Sequence, residues 1–244
     1  MSSGRWVLFD LDGTLFDYEA AETAAVVATL EEAGLVGPGR SPGLVGPEPA
    51  AGSEVVRRYR EINARHWRAL ERGETAADRL RVERWEDLLR ACGLPETEAT
   101  TLARRYVAHL ATRSQLVEGA VEVVEEVARS HRIGFVTNGL ADVQRPRLAA
   151  SPLGRFAEVV VISDEVGAAK PAPEFFDAAF VRMGSPSRDA VVLVGDSLSS
   201  DVAGGVNYGL ETVWVAPSEL PDPEEPRPTH RIGDLRELTG VLAR

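Results

Sequence analysis

Short apolar runs and stretches of helical spacing alternate along much of this chain. "WVLF" (6–9) opens the pattern, and "RIGFVTN" (132–138), "EVVVIS" (158–163), "AVVLVGD" (190–196) and "ETVWVA" (211–216) repeat it. These runs are rich in β-branched residues and are bounded by polar or Gly-containing turns, which predicts buried strands. Between them, "VEVVEEVARS", "PEFFDAAFVRMG" and "SDVAGGVNYG" carry helical spacing or composition. Strands alternating with helices predict an α/β fold with a parallel sheet covered on both faces. In such a sheet, ligands bind beyond the carboxyl ends of the strands. The polar residues Asp10, Thr137, Asn138 and Asp196 all fall at that edge.

Residues 18–113 read differently. "SEVVRRYREINARHWRALERG" places Val55, Val56, Tyr59, Ile62, His66 and Leu70 at three- and four-residue intervals, with Ser53 as the expected N-cap. "TAADRLRVERWEDLLRACG" opens on Thr75 and Asp78 in capping-box spacing and closes at Gly93. "ETEATTLARRYVAHLATR" predicts a third helix, and no strand is expected in this region. The division expected is therefore a Rossmann-like core of 1–17 and 114–244, interrupted by a helical domain of 18–113. The Gly/Pro-rich stretch within 37–52 and "PSELPDPEEPRP" (217–228) read as loops, the latter preceding a closing helix.

Composition narrows the partners. Hydrophobic residues make up 44% of the 244, enough for a sizeable core. The net charge of -11, with no extended basic run, argues against a nucleic-acid polymer. It leaves room for a small anionic substrate if a cation offsets the charge. The single cysteine, Cys92, excludes an intramolecular disulfide and reads as a small packing residue. No basic leader with an apolar stretch and cleavage site is visible, and no apolar run reaches membrane-spanning length. The expectation is a soluble cytoplasmic protein, monomer or homodimer, with no membrane partner.

The candidate chemistry sits at the strand ends. In "DLDGT", Asp10 and Asp12 would face one side about 6.6 Å apart if the chain stays extended. Such a pair suits one attacking carboxylate and one proton-transferring carboxylate, although D-x-D-G-T also occurs in ordinary loops. "VTNG" (136–139) offers Thr137 and Asn138 to an oxyanion, or is a structural turn. Lys170 in "GAAKPAPEFF" can cancel charge on a phosphate and on an attacking carboxylate, or is an exposed loop lysine. Asp196 and Asp201 in "GDSLSSD" add two carboxylates whose repulsion calls for a cation. An all-oxygen donor set favours Mg²⁺ over zinc.

These four segments, in this order, resemble the haloacid dehalogenase (HAD) superfamily. The helical insert is similar to the cap of its subclass I, and the chain resembles the YjjG/YfnB-type 5′-nucleotidases within it. The resemblance implies a HAD-like Rossmannoid parallel sheet with an inserted helical-bundle cap. It implies that Asp10 attacks phosphorus to give an aspartyl-phosphate, and that Asp12 acts as general acid and then base. It implies Mg²⁺ held by Asp10, the Asp12 backbone carbonyl, Asp196 and Asp201, with Thr137, Asn138 and Lys170 on the phosphoryl oxygens. Substrates expected from it are small phosphate monoesters such as pyrimidine nucleoside 5′-monophosphates. Sugar, acyl-sugar or phosphoglycolate phosphatase activity is the alternative, with phosphomutase or haloacid dehalogenase chemistry behind it. An acidic residue at position 12 argues against the dehalogenase branch, where the halide leaves without a proton.

Roles in the helical insert are less defined. Asn63, His66 and Trp67 share one helix. His66 is expected as a hydrogen-bonded packing histidine, and Trp67 and Trp85 as helix–helix contacts. Tyr18 is either near the substrate or plain packing. His109, His131 and His230 lie outside every motif. Hinges are expected near Phe16–Tyr18 and Arg113–Val117.

Overall fold

The computed structural model describes residues 4–36, 50–217, 219–221 and 223–243. Positions 37–49 of the Gly/Pro-rich stretch lie outside the described residues. The chain divides into two compact units, Met1–Tyr18 with Ser114–Arg244, and Glu19–Arg113.

The first unit is built on β1 (Trp6–Phe9) and on elements that follow the helical unit. The second unit carries α1 (Tyr18–Glu32, which begins in the first), α2 (Ala50–Glu71), α3 (Ala77–Ala91) and α4 (Ala99–Ala111). The chain then returns with α5 (Ala120–Ala128), β2 (Arg132–Thr137), α6 (Ala141–Ala150), β3 (Val159–Ile162), α7 (Ser163–Val166) and α8 (Pro173–Met183). It closes with β4 (Val191–Gly195), α9 (Ala203–Tyr208), β5 (Glu211–Val215), β6 (His230–Ile232) and α10 (Leu238–Leu242).

Among the described residues the strands form one six-stranded parallel sheet in the order β3-β2-β1-β4-β5-β6. The order reverses between β1 and β4, so loops leaving these neighbours diverge and open a crevice at their carboxyl ends. Period-two alternation splits β1 between two cores. Val7 and Phe9 join Phe135, Val192, Val194 and the α5 residues Val123, Val124 and Val127. Trp6 and Leu8 join Val136, Val161, Leu193 and the α8 residues Phe175, Phe176 and Phe180. A side chain of this size contributes roughly 1.5–3 kcal/mol when fully buried. Burial on both faces is why these strands read as unbroken apolar runs.

In the helical unit, Tyr59 of α2, Trp85 of α3 and Tyr106 of α4 form a buried aromatic cluster with ring centroids 5.0–5.6 Å apart. Trp85 is therefore a packing residue. A polar chain runs beside it: Asn63 donates to Glu22 at 2.8 Å and accepts from Arg84 at 2.9 Å. His66 Nε2 lies 3.0 Å from Asp87, so the histidine is hydrogen-bonded and only partly buried.

Several expectations are corrected here. α2 begins at Ala50, which places Ser53 inside the helix rather than at its cap. α3 has Ala76 as its N-cap with no side-chain capping bond, so Thr75 and Asp78 form no capping box. β6 and α6 had not been expected. β6 is three residues long and follows a Pro-rich loop, which hides its pattern. α6 carries Pro146 in its interior, a residue that ordinarily ends a helix. Its first amide, that of Ala141, instead finds the Asp164 carboxylate at 3.0 Å. No helix among the described residues is long and apolar enough to cross a membrane.

Candidate active site

Lys170, in the loop between α7 and α8, ties the strand-end loops together. Its Nζ donates to Asp10 Oδ1 at 2.6 Å, Asp201 Oδ1 at 2.6 Å and the Val136 carbonyl at 2.9 Å. Three acceptors match the three hydrogens of an ammonium. Lys170 is 1% exposed, Asp10 6% and Asp201 1%. The exposed-loop reading of this lysine is therefore excluded. Burial opposes its charge, but Asp10 and Asp201 outweigh that and raise its pKa above the ordinary lysine value.

Asn138 sets the lysine's backbone. Its side-chain oxygen accepts from the Lys170 N–H at 2.8 Å, and its side-chain nitrogen donates to the Lys170 carbonyl at 2.8 Å. Thr137, at the end of β2, is fully buried. The loop after it is braced by Ser163, whose hydroxyl lies 3.0 Å from the Gly139 N–H and 3.3 Å from its carbonyl.

The β4 edge supplies two more carboxylates. Asp196 follows the strand directly; it accepts from Thr14 Oγ1 at 3.1 Å, and its backbone carbonyl accepts from Trp214 Nε1 at 2.8 Å. Gly13 makes this approach possible: its φ is +91°, and a Cβ there would sit 2.4 Å from Asp196 Oδ2. Asp201 comes from a π-helical turn at Leu198–Val202, a feature the sequence pattern did not announce. Its second oxygen accepts from the Ser197 N–H at 3.0 Å.

One carboxylate oxygen each from Asp10, Asp196 and Asp201 can be chosen so that all three lie within 4.8 Å of one another. Two of these carboxylates bond the Lys170 ammonium, and Asp196 lies close to them without a bond to it among the described contacts. Burial lifts Asp10 well above the usual carboxylate range, an effect Lys170 reduces and Asp201 and Asp196 increase. Burial, then repulsion from Asp201, lifts Asp196 to about 7. The strain in this arrangement is electrostatic, and a divalent cation among these oxygens would relieve it. The donor set is all oxygen, which suits a hard cation such as Mg²⁺.

The Asp12 side chain has partners of its own. The strand ends at Phe9, and the Leu11 carbonyl turns back to accept from both Leu15 and Phe16 at 2.8 Å. Asp12 and Phe16 pair in an isolated β-bridge across this turn. Asp12 Oδ1 accepts from Arg147 at 2.5 Å and Oδ2 from Gln144 at 2.5 Å. Its carboxylate is not among the clustered oxygens of Asp10, Asp196 and Asp201.

Gln144, Arg147, Thr14 and Trp214 all touch the site and were not picked out from the sequence. Gln144 and Arg147 flank Pro146, so the segment gave no helical signal. Thr14 lies within "DLDGT", but nothing in the sequence pairs it with Asp196.

A family model described as haloacid dehalogenase-like hydrolase matches residues 5–209. The HAD-hydrolase YfnB of Bacillus subtilis is 31% identical over 99% of this chain and 97% of its own length. Two proteins named pyrimidine 5′-nucleotidase are each 28% identical over 98% of this chain: PynA of Streptococcus pneumoniae, covered over 94% of its length, and YjjG of Escherichia coli, covered over 98%. The crystal structure of YfnB, bound to magnesium, superposes with a TM-score of 0.85 at 30% identity over 100% of both chains. The motifs, the sheet and these likenesses converge, and the chain belongs to the haloacid dehalogenase-like hydrolase family.

Proposed function

We propose that this protein is a Mg²⁺-dependent phosphomonoester hydrolase that works through an aspartyl-phosphate on Asp10. We place pyrimidine nucleoside 5′-monophosphates first among its substrates. The observation that carries the reading is the buried Asp10–Lys170–Asp201 array with Asp196 beside it and a separate acid, Asp12, two residues from the nucleophile. The nucleotide preference is supported by the names of PynA and YjjG. Sugar and acyl-sugar phosphates are the alternative class.

Asp10, Asp196 and Asp201 would hold Mg²⁺, with the Asp12 backbone carbonyl as the further ligand the family resemblance implies. When bound there, the ion supplies charge neutralisation and orientation for a phosphoryl group. Asp10 attacks phosphorus with one carboxylate oxygen, and the bond from phosphorus to the ester oxygen breaks. The departing oxygen takes a proton from Asp12. In the second half, Asp12 takes a proton from water as the water oxygen attacks phosphorus, releasing phosphate and the Asp10 carboxylate. Lys170 keeps Asp10 in place and offsets charge, and Asn138 holds the Lys170 backbone. Phosphoryl transfer needs such positioning and charge compensation above all.

Phosphate release from a panel of nucleotides, sugar phosphates and phosphoglycolate, with Mg²⁺ and then with a chelator, tests the reading. Metal-dependent release led by pyrimidine 5′-monophosphates is expected. Release led by another class keeps the mechanism and overturns the nucleotide assignment, and no release overturns both.

A pH dependence follows from the raised carboxylates. In the metal-free protein, ionising Asp196 costs stability as pH rises through about 7. Mg²⁺ binds the ionised form and reverses that cost. The rise in melting temperature on adding Mg²⁺ should therefore be small near pH ~5 and larger near pH ~8. A melting-temperature rise that does not change with pH would contradict this electrostatic reading of the cluster.

A further inference from the structure

Two side chains one helical turn apart on α6, Gln144 and Arg147, are buried to 2% and 0% exposure. Polar groups at that depth require partners, and both point to the same one. Arg147 Nη1 donates to Asp12 Oδ1 and Gln144 Nε2 to Asp12 Oδ2, each at 2.5 Å. Arg147 Nη1 also donates to Gln144 Oε1 at 3.3 Å, which sets the orientation of the Gln144 amide. The guanidinium lies 4.4 Å from the Phe16 ring centroid, in the turn that carries Asp12. Gln144 Nε2 is also 3.4 Å from Thr137 Oγ1. The loop leaves room for this: a Cβ on Gly139 would come within 2.7 Å of Gln144 Nε2.

We propose that Gln144 and Arg147 are positioning residues that clamp both oxygens of Asp12 and serve the proton-donating step. The inference rests on the proposed phosphatase chemistry. As the ester oxygen leaves phosphorus, it takes the Asp12 proton, and negative charge develops on Asp12. A guanidinium and an amide N–H already aimed at its oxygens stabilise that developing charge without reorganising. The same contacts keep the Asp12 carboxylate from joining Asp10, Asp196 and Asp201, where a fourth carboxylate would add repulsion. When Asp12 later takes a proton from water, the clamp gives no such help. Its benefit is confined to leaving-group departure.

That confinement separates the clamp from a purely structural ion pair. The full-length protein with Mg²⁺ is assayed on two esters. One is the alkyl phosphate it hydrolyses best; the other is p-nitrophenyl phosphate, whose leaving group needs little protonation. In Arg147→Met, kcat/KM for the alkyl ester should fall about 100-fold, with less than about a 5-fold change for p-nitrophenyl phosphate. Inhibition by inorganic phosphate should stay within about twofold of wild type, because phosphate binding does not need the clamp. Arg147→Lys should recover most of the loss on the alkyl ester alone.

Equal losses on both esters, or none, would overturn the clamp. If Arg147→Met does not fold, Gln144→Leu carries the same comparison, with a differential loss of about 10-fold expected and equal loss overturning it. Wild type inactive on both esters with Mg²⁺ overturns the phosphatase reading and the clamp with it. Active wild type with a flat ratio in the variants overturns the clamp alone.

Discussion

Asp10→Asn yields a folded protein whose turnover falls on the order of 10⁴-fold or more, the scale of removing a covalent nucleophile. The amide keeps the shape of the carboxylate and can still accept from Lys170, but it is a far poorer nucleophile toward phosphorus. The stability effect has the opposite sign. Burial and the neighbouring Asp201 and Asp196 raise the pKa of Asp10 despite Lys170. A carboxylate with a raised folded-state pKa costs stability as pH rises above its unfolded value. The asparagine variant, without metal, should therefore melt no lower than wild type near pH ~8 and gain relative to it between pH ~5 and pH ~8. Thermal melts in chelator across that range, beside phosphate-release assays with Mg²⁺, read both effects. Retained turnover would remove Asp10 from the reaction, and a large loss of stability would mean that its charge supports the fold.

The second large effect belongs to Lys170. Replacing it with methionine leaves Asp10 and Asp201 buried without the ammonium that each bonds at 2.6 Å. Removing one partner of a buried ion pair typically costs about 3–5 kcal/mol, because the remaining charge is left uncompensated. The Val136 carbonyl also loses its Lys170 donor. Denaturant unfolding of metal-free Lys170→Met should show a loss on that scale, and turnover should be abolished. Adding Asp201→Asn to this variant should recover part of the stability but not the activity, since one of the two uncompensated charges is then gone. If Lys170→Met unfolds at the wild-type denaturant concentration, the lysine is not the counter-ion its geometry indicates.

Much of the core was legible because parallel strands buried on both faces leave unbroken apolar runs. "WVLF", "GFVT" and "VVLVG" end where polar residues begin, so the edge that carries Asp10, Asn138 and Asp196 could be read from those endings. What escaped detection depended on backbone detail. Strand spacing put Asp12 two residues from Asp10 but gave no sign of the side chains its carboxylate meets, Gln144 and Arg147 of α6. α6 itself was masked by Pro146, and with it Gln144 and Arg147. Asp201 belongs to the "GDSLSSD" motif, yet the π-helical turn from which it bonds Lys170 left no mark on hydrophobic spacing. In the helical unit, Trp85 was read correctly because the periodicity of α3 buries it. The capping roles of Ser53 and Thr75 failed because a residue type suited to a cap does not determine where a helix begins.

Asp10, on this reading, carries the phosphoryl group during turnover. The direct measurement is to quench turnover with denaturant, reduce with borohydride and sequence the peptide spanning residues 5–17 by mass spectrometry. An acyl-phosphate at Asp10 is reduced to homoserine, whereas a free carboxylate is not. Homoserine is expected at position 10 alone, formed only when phosphate ester is present. Steady phosphate release with no modification at Asp10, or with modification at Asp12 instead, would contradict it.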